Sequence, residues 1–358
     1  MDVAIVGAGV TGCACALHLA EAGLRVRVHE AREVAGGASG RNGGFALRGA
    51  AIAYDAARER LGSEQATALW QLTERAVDHM ADLAGDAFRR TGSLRLATSA
   101  VEATALAAER AALEQDGFVA ELQTDLAPPL AGKFEAALVH PRDGAIQPAR
   151  WVRRLAALAA EAGAEIRERR AVRSVEELEA EVVVLATDGY TQGLVPELDA
   201  AVRPTRGQVI ATAPLARILY QRPHSTYDGY RYWHQTDDRR FVIGGFRDIA
   251  LDEEWTREEA TTPTIQAALE SFARELLGET PEITHRWSGI FGTTEDLLPL
   301  VGRLSDEREL WVSSGYSGHG NVMGFACGEL VANAILGRSG PELELFDPRR
   351  FVARTAFS

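Results

Sequence analysis

Apolar residues recur along this chain in two patterns, and the switches between them predict its elements. Val3–Val6 is an unbroken apolar run; a glycine-rich turn follows, then an apolar stretch through Ala20, then the run Arg25–His29 closing on Glu30. Continuous runs of this kind mark strands buried on both faces, so the segment predicts strand, helix and parallel strand. Leu61, Leu69, Leu72, Ala76, Met80 and Leu83 keep helical spacing and predict a long helix over 54–83, with an alanine-rich helix at 100–115. Pro148 suits the first residue of a helix that stops at Gly163, ahead of a strand at Glu165–Ile166, a compact β segment over Val172–Val175 and the apolar strand of AEVVVLATDG, 180–189. From Arg203 to Gly292 the period becomes two: GQVIATAP, YRYWHQ and RRFVIGGF alternate as antiparallel strands that roof a pocket, with a helix from Pro263 to near Gly278. The segment 309–336 returns to a strand, LWVSSG, then a loop, YSGHGN, and a helix. There is no internal repeat and no low-complexity linker.

The first turn carries chemistry. In GAGVTG, Gly7 permits the tight turn, Gly9 lets the backbone approach a pyrophosphate and Gly12 lets the helix pack closely on the strands. Glu30 lies 18 residues beyond Gly12 at a strand tip, where a carboxylate accepts from both ribose hydroxyls and disfavours a 2′-phosphate. The predicted nucleotide is therefore FAD or NAD, not NADP. Residues 3–20 carry no acidic or basic side chain, which by length alone reads as a signal peptide or membrane span. The missing basic n-region, three glycines and His18 argue against it.

Composition narrows the classes. A chain of 358 residues predicts two domains, and Cys13, Cys15 and Cys327 offer no disulfide framework, no CxxC and no zinc-ligand spacing, so a reducing cytoplasm is the expected compartment and no metal is expected. A net charge of −13 argues against nucleic acid or an anionic membrane as partner. Lys133 is the only lysine.

In order and spacing, VAIVGAGVTG, GGASGRNGGF, VVLATDGY, RPTRGQV, WSGIFGTTEDLLPLVGR and GYSGHGNVMGFACGELVANAILG resemble the FAD-dependent D-amino acid oxidase superfamily, nearest its gamma-glutamylputrescine oxidase-like branch and less near glycine and monomeric sarcosine oxidases. The resemblance covers nearly the whole chain. It implies an α/β fold: a discontinuous Rossmann-like FAD-binding domain (1–75, 141–204 and 295–358) with an α+β, antiparallel-sheet substrate domain (76–140 and 205–294). It implies that Gly7, Ala8, Gly9, Val10, Thr11 and Gly12 hold the pyrophosphate, Glu30 and Ala31 the ribose, and Arg32 the adenosine edge. Gly37, Ala38, Ser39, Arg41, Asn42, Gly43 and Gly44 would follow the pyrophosphate, ribityl chain and flavin. Val172 would touch adenine, and Thr187, Asp188 and Gly189 would pass close to the cofactor. Asp188 stands where the family usually has glycine, so the turn there is expected to differ.

The loop Gly315, Tyr316, Ser317, Gly318, His319, Gly320, Asn321 and Val322 would present N–H groups to the N1–C2 edge of the isoalloxazine, where charge develops on reduction. His319 enters the catalytic set through that loop and not as a general base. The implied reaction is oxidation of an amine or amino acid C–N bond to an imine by hydride transfer to flavin N5, with oxygen as acceptor and hydrogen peroxide as product. FAD would be noncovalent, since no histidine lies in 39–44 and no cysteine in 293–296. A neutral amine needs an apolar wall, for which Tyr230, Tyr232, Trp233 and Trp287 are the expected residues. The lysines with which sarcosine oxidases hold a carboxylate and activate oxygen have no counterpart here, so a carboxylate would fall to Arg48, Arg231 or another arginine. A dehydrogenase using another acceptor, or a flavin-binding subunit of a larger complex, is the alternative reading, and the oligomeric state stays open.

Overall fold

The run Val3–Val6 sits inside a six-stranded sheet, paired in parallel with Val182–Leu185 on one side and Val26–His29 on the other. Glu165–Arg167 extends the sheet beyond Val26–His29, Leu310–Ser314 extends it beyond Val182–Leu185, and antiparallel Leu300–Ser305 closes that edge. The computed structural model describes residues 1–191, 193–305 and 309–351. The helices Val10–Glu21, Ser63–Ala84, Pro148–Glu161 and Val322–Ile335 share one core, in which Leu17, Leu69, Met80, Trp151, Leu155 and Phe325 are buried. Cys13, Cys15 and Cys327 belong to that core, and burial pushes the Cys13 thiol up to about 12, so it stays protonated and unreactive.

A second sheet of eight strands runs in the order Ile283–Thr293, Arg203–Pro214, Arg240–Gly245, Arg231–Gln235, His224–Thr226, Ser93–Ala97, Ala136–His140 and Glu121–Gln123. Its pairings are antiparallel except where His224–Thr226 lies parallel to Ser93–Ala97. The helix Pro263–Leu277 covers one face and buries Ile265 and Leu269 against Trp233, Phe241 and Ile243. A small three-stranded sheet joins Phe45–Ala46, Gly144–Ile146 and Phe88–Arg89. Arg203–Pro214 runs through the expected domain boundary at 204/205 as one continuous strand.

Two expected elements differ. The helix over 54–83 is two helices, Tyr54–Leu61 and Ser63–Ala84, because Gly62 between them adopts φ +84°, a left-handed conformation that ends one helix and starts the next. The residues 171–174 form no strand and lead into a single turn at Val175–Glu177. Instead of pairing with a sheet, the stretch before them folds back so that Arg169 and Arg170 donate to the carbonyls of Arg32 and Glu30. Among the described residues no helix is long and apolar enough to cross a membrane.

Candidate active site

Three sequence motifs far apart in the chain close around one cavity of about 900 Å³, large enough for a dinucleotide with a small substrate. Ser39 Oγ accepts from Val10 N at 3.0 Å and so joins the second glycine loop to the first. Asn42 and Asn321 exchange reciprocal amide bonds of 2.9 Å, and Asn321 also donates to the Phe45 carbonyl at 2.8 Å, which joins the second loop to the last. Thr11 Oγ1 and Tyr316 Oη meet at 2.8 Å and close the circuit.

At the nucleotide end Glu30 holds two backbone turns, its carboxylate accepting from Ala8 N and Arg32 N at 2.8 Å each. Val172 and Arg173 line the cavity beside it, together with Gly37, Ala38 and Thr187. A Cβ on Gly12 would lie 1.9 Å from the Gly7 carbonyl oxygen, and one on Gly7, at φ +104°, would lie 2.6 Å from the Ala186 oxygen. Strand, loop and helix therefore meet only because these side chains are absent. This cradle and the orphaned, buried Nδ1 of His319 fit a dinucleotide with a polar ring system. Burial lowers the His319 imidazole to about 4, so it is neutral at pH 7.

Asp188 answers the question posed by its sequence. At φ +47° it takes the turn that glycine would, and its carboxylate accepts from Gly292 N at 3.0 Å and Gly315 N at 2.9 Å, tying three segments together behind the cavity.

The remaining expected residues divide. Tyr230 and Tyr232 line the cavity, and burial pushes Tyr232 up to about 12, which keeps it protonated. Trp287 does not line it: its indole donates to the Arg41 carbonyl at 2.7 Å and braces that loop. Trp233 lies in the second core, stacked on His224. Arg48 borders the cavity with its charge already committed, pairing with Glu74, donating to the Val119 carbonyl at 2.6 Å and meeting His140 Nδ1 at 3.2 Å. Arg231 forks onto Asp248 at 2.5 and 3.0 Å and stacks on Phe246. A paired guanidinium gives up its partner only at a cost comparable to what a new carboxylate supplies, so neither fits the expected carboxylate role.

Arg247, Phe45 and Phe291 line the cavity and were not singled out from sequence. Arg247 lies over the rings of Tyr230 at 4.7 Å and Phe291 at 5.8 Å and has no acidic partner among the described residues. The only hint in sequence was its place just past the strand ending in Gly245. Away from the cavity, His18, His79 and Glu329 come together from three helices. His79 Nδ1 lies 2.6 Å from the Glu329 carboxylate, and that hydrogen bond raises the His79 pKa.

If Glu30 holds the ribose as well as the two turns, Glu30→Ala is expected to weaken FAD binding by about 1–3 kcal/mol, the scale of charge-assisted hydrogen bonds. Titration of the apo-protein with FAD measures it. An unchanged dissociation constant refutes the anchor.

The comparisons with known proteins agree with this geometry. The DAO family, described as FAD dependent oxidoreductase, matches residues 2–334. The chain is similar to the gamma-glutamylputrescine oxidoreductase of Escherichia coli, 29% identical over 97% of this chain and 85% of that protein, and to the glycine oxidase of Bacillus licheniformis, 26% identical over 94% and 93%. In three dimensions it is similar to L-proline dehydrogenase from P. horikoshii, with a TM-score of 0.83 at 21% identity over 99% of this chain and 98% of that one.

Proposed function

Because the chain belongs to the DAO family of FAD-dependent oxidoreductases, we propose that it oxidises the C–N bond of an amine that also carries a carboxylate, with oxygen as acceptor. The observation that carries this reading is the cavity wall formed by Phe45, Tyr230, Tyr232 and Phe291 with Arg247, a cation that has no acidic partner among the described residues. An apolar wall disfavours an ammonium group, and the cation beside it disfavours one further. The cavity's buried carboxylates are already satisfied: Asp143 by Ser93 and the Arg48 amide, Glu109 by Arg95, and Asp188 by the Gly292 and Gly315 amides. The amine therefore binds neutral and the anionic end of the molecule turns to Arg247.

When bound, FAD would supply the electron sink for the hydride lost from the amine's α-carbon, with oxygen as the final acceptor. The chain's own residues orient the substrate and exclude water. Loss of hydride and the nitrogen proton leaves an imine, which water hydrolyses. The relatives named for gamma-glutamylputrescine and for glycine support an amine with an acidic group. FAD would be held without a covalent bond, since none of the three thiols borders the cavity and the loop 39–44 carries no histidine. Acid precipitation is expected to leave the yellow colour in the supernatant, and a yellow pellet contradicts it.

An anaerobic panel of amines, read as loss of flavin absorbance, tests the reaction. Primary or secondary amines whose carboxylate is distant from the nitrogen are expected to bleach the flavin faster than glycine or sarcosine, whose carboxylate sits on the reacting carbon. The rate should rise with pH as the substrate amine deprotonates, and peroxide should appear on admission of air. A flavin that no amine reduces, or a rate independent of pH, contradicts the reading.

A further inference from the structure

The segment 254–262 runs from the short helix Leu251–Glu254 to the helix Pro263–Leu277, reaches the residues at the nucleotide end of the cavity on the way, and is pinned at both ends to the strand Arg203–Pro214. At its start Glu254, 1% exposed, accepts from Arg206 Nη2 at 2.8 Å and from Gln208 Nε2 at 2.9 Å. At its end Thr262 N donates to Gln208 Oε1 at 2.9 Å, and Gln208 Nε2 donates to Thr262 Oγ1 at 3.0 Å. Arg203 lies 3.9 Å over the Trp255 ring. A buried ion pair with its other hydrogen-bonding sites filled is costly to break, so the ends are fixed points.

Between those ends, residues 257–260 form no regular element, and Glu259 reaches out of them to residues 69, 218 and 227 positions away. Its carboxylate accepts from Arg32 Nη1 at 2.7 and 2.9 Å, from Arg41 Nη1 at 2.8 Å and from the Tyr190 hydroxyl. The Tyr190 ring in turn carries the Arg32 guanidinium at 4.9 Å. Arg32, Arg41 and Tyr190 border the cavity, whereas Glu259 stands behind them. One carboxylate on a doubly anchored strap thus sets the direction of two cations that face the dinucleotide end.

We propose that Glu259 is a positioning residue for the cofactor, and that the strap 254–262 is a clasp across the two sheets that slows FAD release. Two long arginine side chains are ordered before FAD arrives, so binding does not have to order them. The pair of arginines still exceeds the single carboxylate by one positive charge, so the clasp keeps an attraction for phosphate. The same carboxylate also repels phosphate. The sign of its effect on FAD release therefore decides between positioning and repulsion.

Holoenzyme is diluted and the rise of free-flavin fluorescence is followed. Glu259→Ala is expected to release FAD about tenfold faster, on the scale of one charge-assisted contact. Glu259→Gln, which keeps an acceptor oxygen, should fall between it and the parent. In an Arg32→Ala/Arg41→Ala background the Glu259→Ala effect should shrink towards none, because groups in one network are not additive. A purely structural role would lower the melting temperature of apo- and holoenzyme alike and leave the release rate where it was. An unchanged rate, slower release, or the same tenfold effect without the two arginines overturns the proposal. If Glu259→Ala fails to fold, Glu259→Gln alone decides by the same rate.

Discussion

Gly12→Val is expected to give a protein that no longer retains FAD, with affinity lower by roughly 100-fold, the upper part of the range for forcing extra methyl groups into a packed contact. A Cβ at this position meets the Gly7 carbonyl oxygen at 1.9 Å, its carbon at 3.1 Å and Ile5 Cγ2 at 3.4 Å. Two of those atoms are backbone and cannot rotate away, so the helix Val10–Glu21 has to lift off the strand Val3–Val6. Lifting it displaces Val10 N from Ser39 and Thr11 from Tyr316, which takes apart the contacts joining the three loops. The contrast is Gly23→Ala, at a positive φ of +88° that Gly12 does not share, where an added Cβ meets nothing within 4 Å. That change costs only about 1 kcal/mol of backbone strain and leaves the cavity alone. Flavin absorbance of the purified proteins and apo-protein titration measure both, with circular dichroism to show that the valine variant is folded. A yellow Gly12→Val protein with the parent's dissociation constant contradicts the assignment of this loop.

The reason Gly12 was legible in sequence is the reason others were not. A glycine forced by sterics leaves its mark within a few residues, and the apolar runs that became the parallel sheet are equally local. Gly7, Gly12 and Glu30 were therefore placed from spacing alone, as was the parallel strand that follows the first helix and pairs with Val3–Val6. Arg48 and Arg231 were singled out because the lysine with which sarcosine oxidases hold a carboxylate has no counterpart here. What removes them is a partner elsewhere in the chain, Glu74 for one and Asp248 for the other, and no spacing announces such a pair. Trp287 failed in the same way, since its indole proton goes to a backbone carbonyl 246 residues earlier. Arg247 is the converse case. Its significance lies in having no acidic partner among the described residues, Asp248 beside it being paired with Arg231, and such a tertiary fact becomes visible only once the acids around it have been placed. Asp188 shows a local rule bending: the position needs φ above zero, aspartate tolerates it, and the carboxylate gains two glycine N–H partners in exchange.

Arg247→Met is expected to raise the KM for carboxylate-bearing amines by about 10- to 100-fold, on the scale of hydrogen bonds to a charged group. Neutral amines of the same shape should change less than about twofold, because methionine keeps an apolar stem of similar length against Tyr230 and Phe291 and only the charge is lost. A pair such as 4-(aminomethyl)benzoate and benzylamine isolates the carboxylate. Arg247→Lys should recover part of the loss, since it restores the charge but not the flat group that lies over two rings. The pH profile separates this effect from the reaction itself. The preference for the carboxylate should be constant with pH while reduction of the flavin rises as the amine deprotonates. Anaerobic stopped-flow reduction gives both quantities. Titration of an unreactive benzoate against the flavin spectrum gives the carboxylate affinity without turnover, and so reads Arg247 even if no amine on the panel reacts. Equal losses for the charged and neutral amines, or a benzoate affinity untouched by Arg247→Met, would show that the unpaired guanidinium belongs to the wall and not to the recognition of substrate.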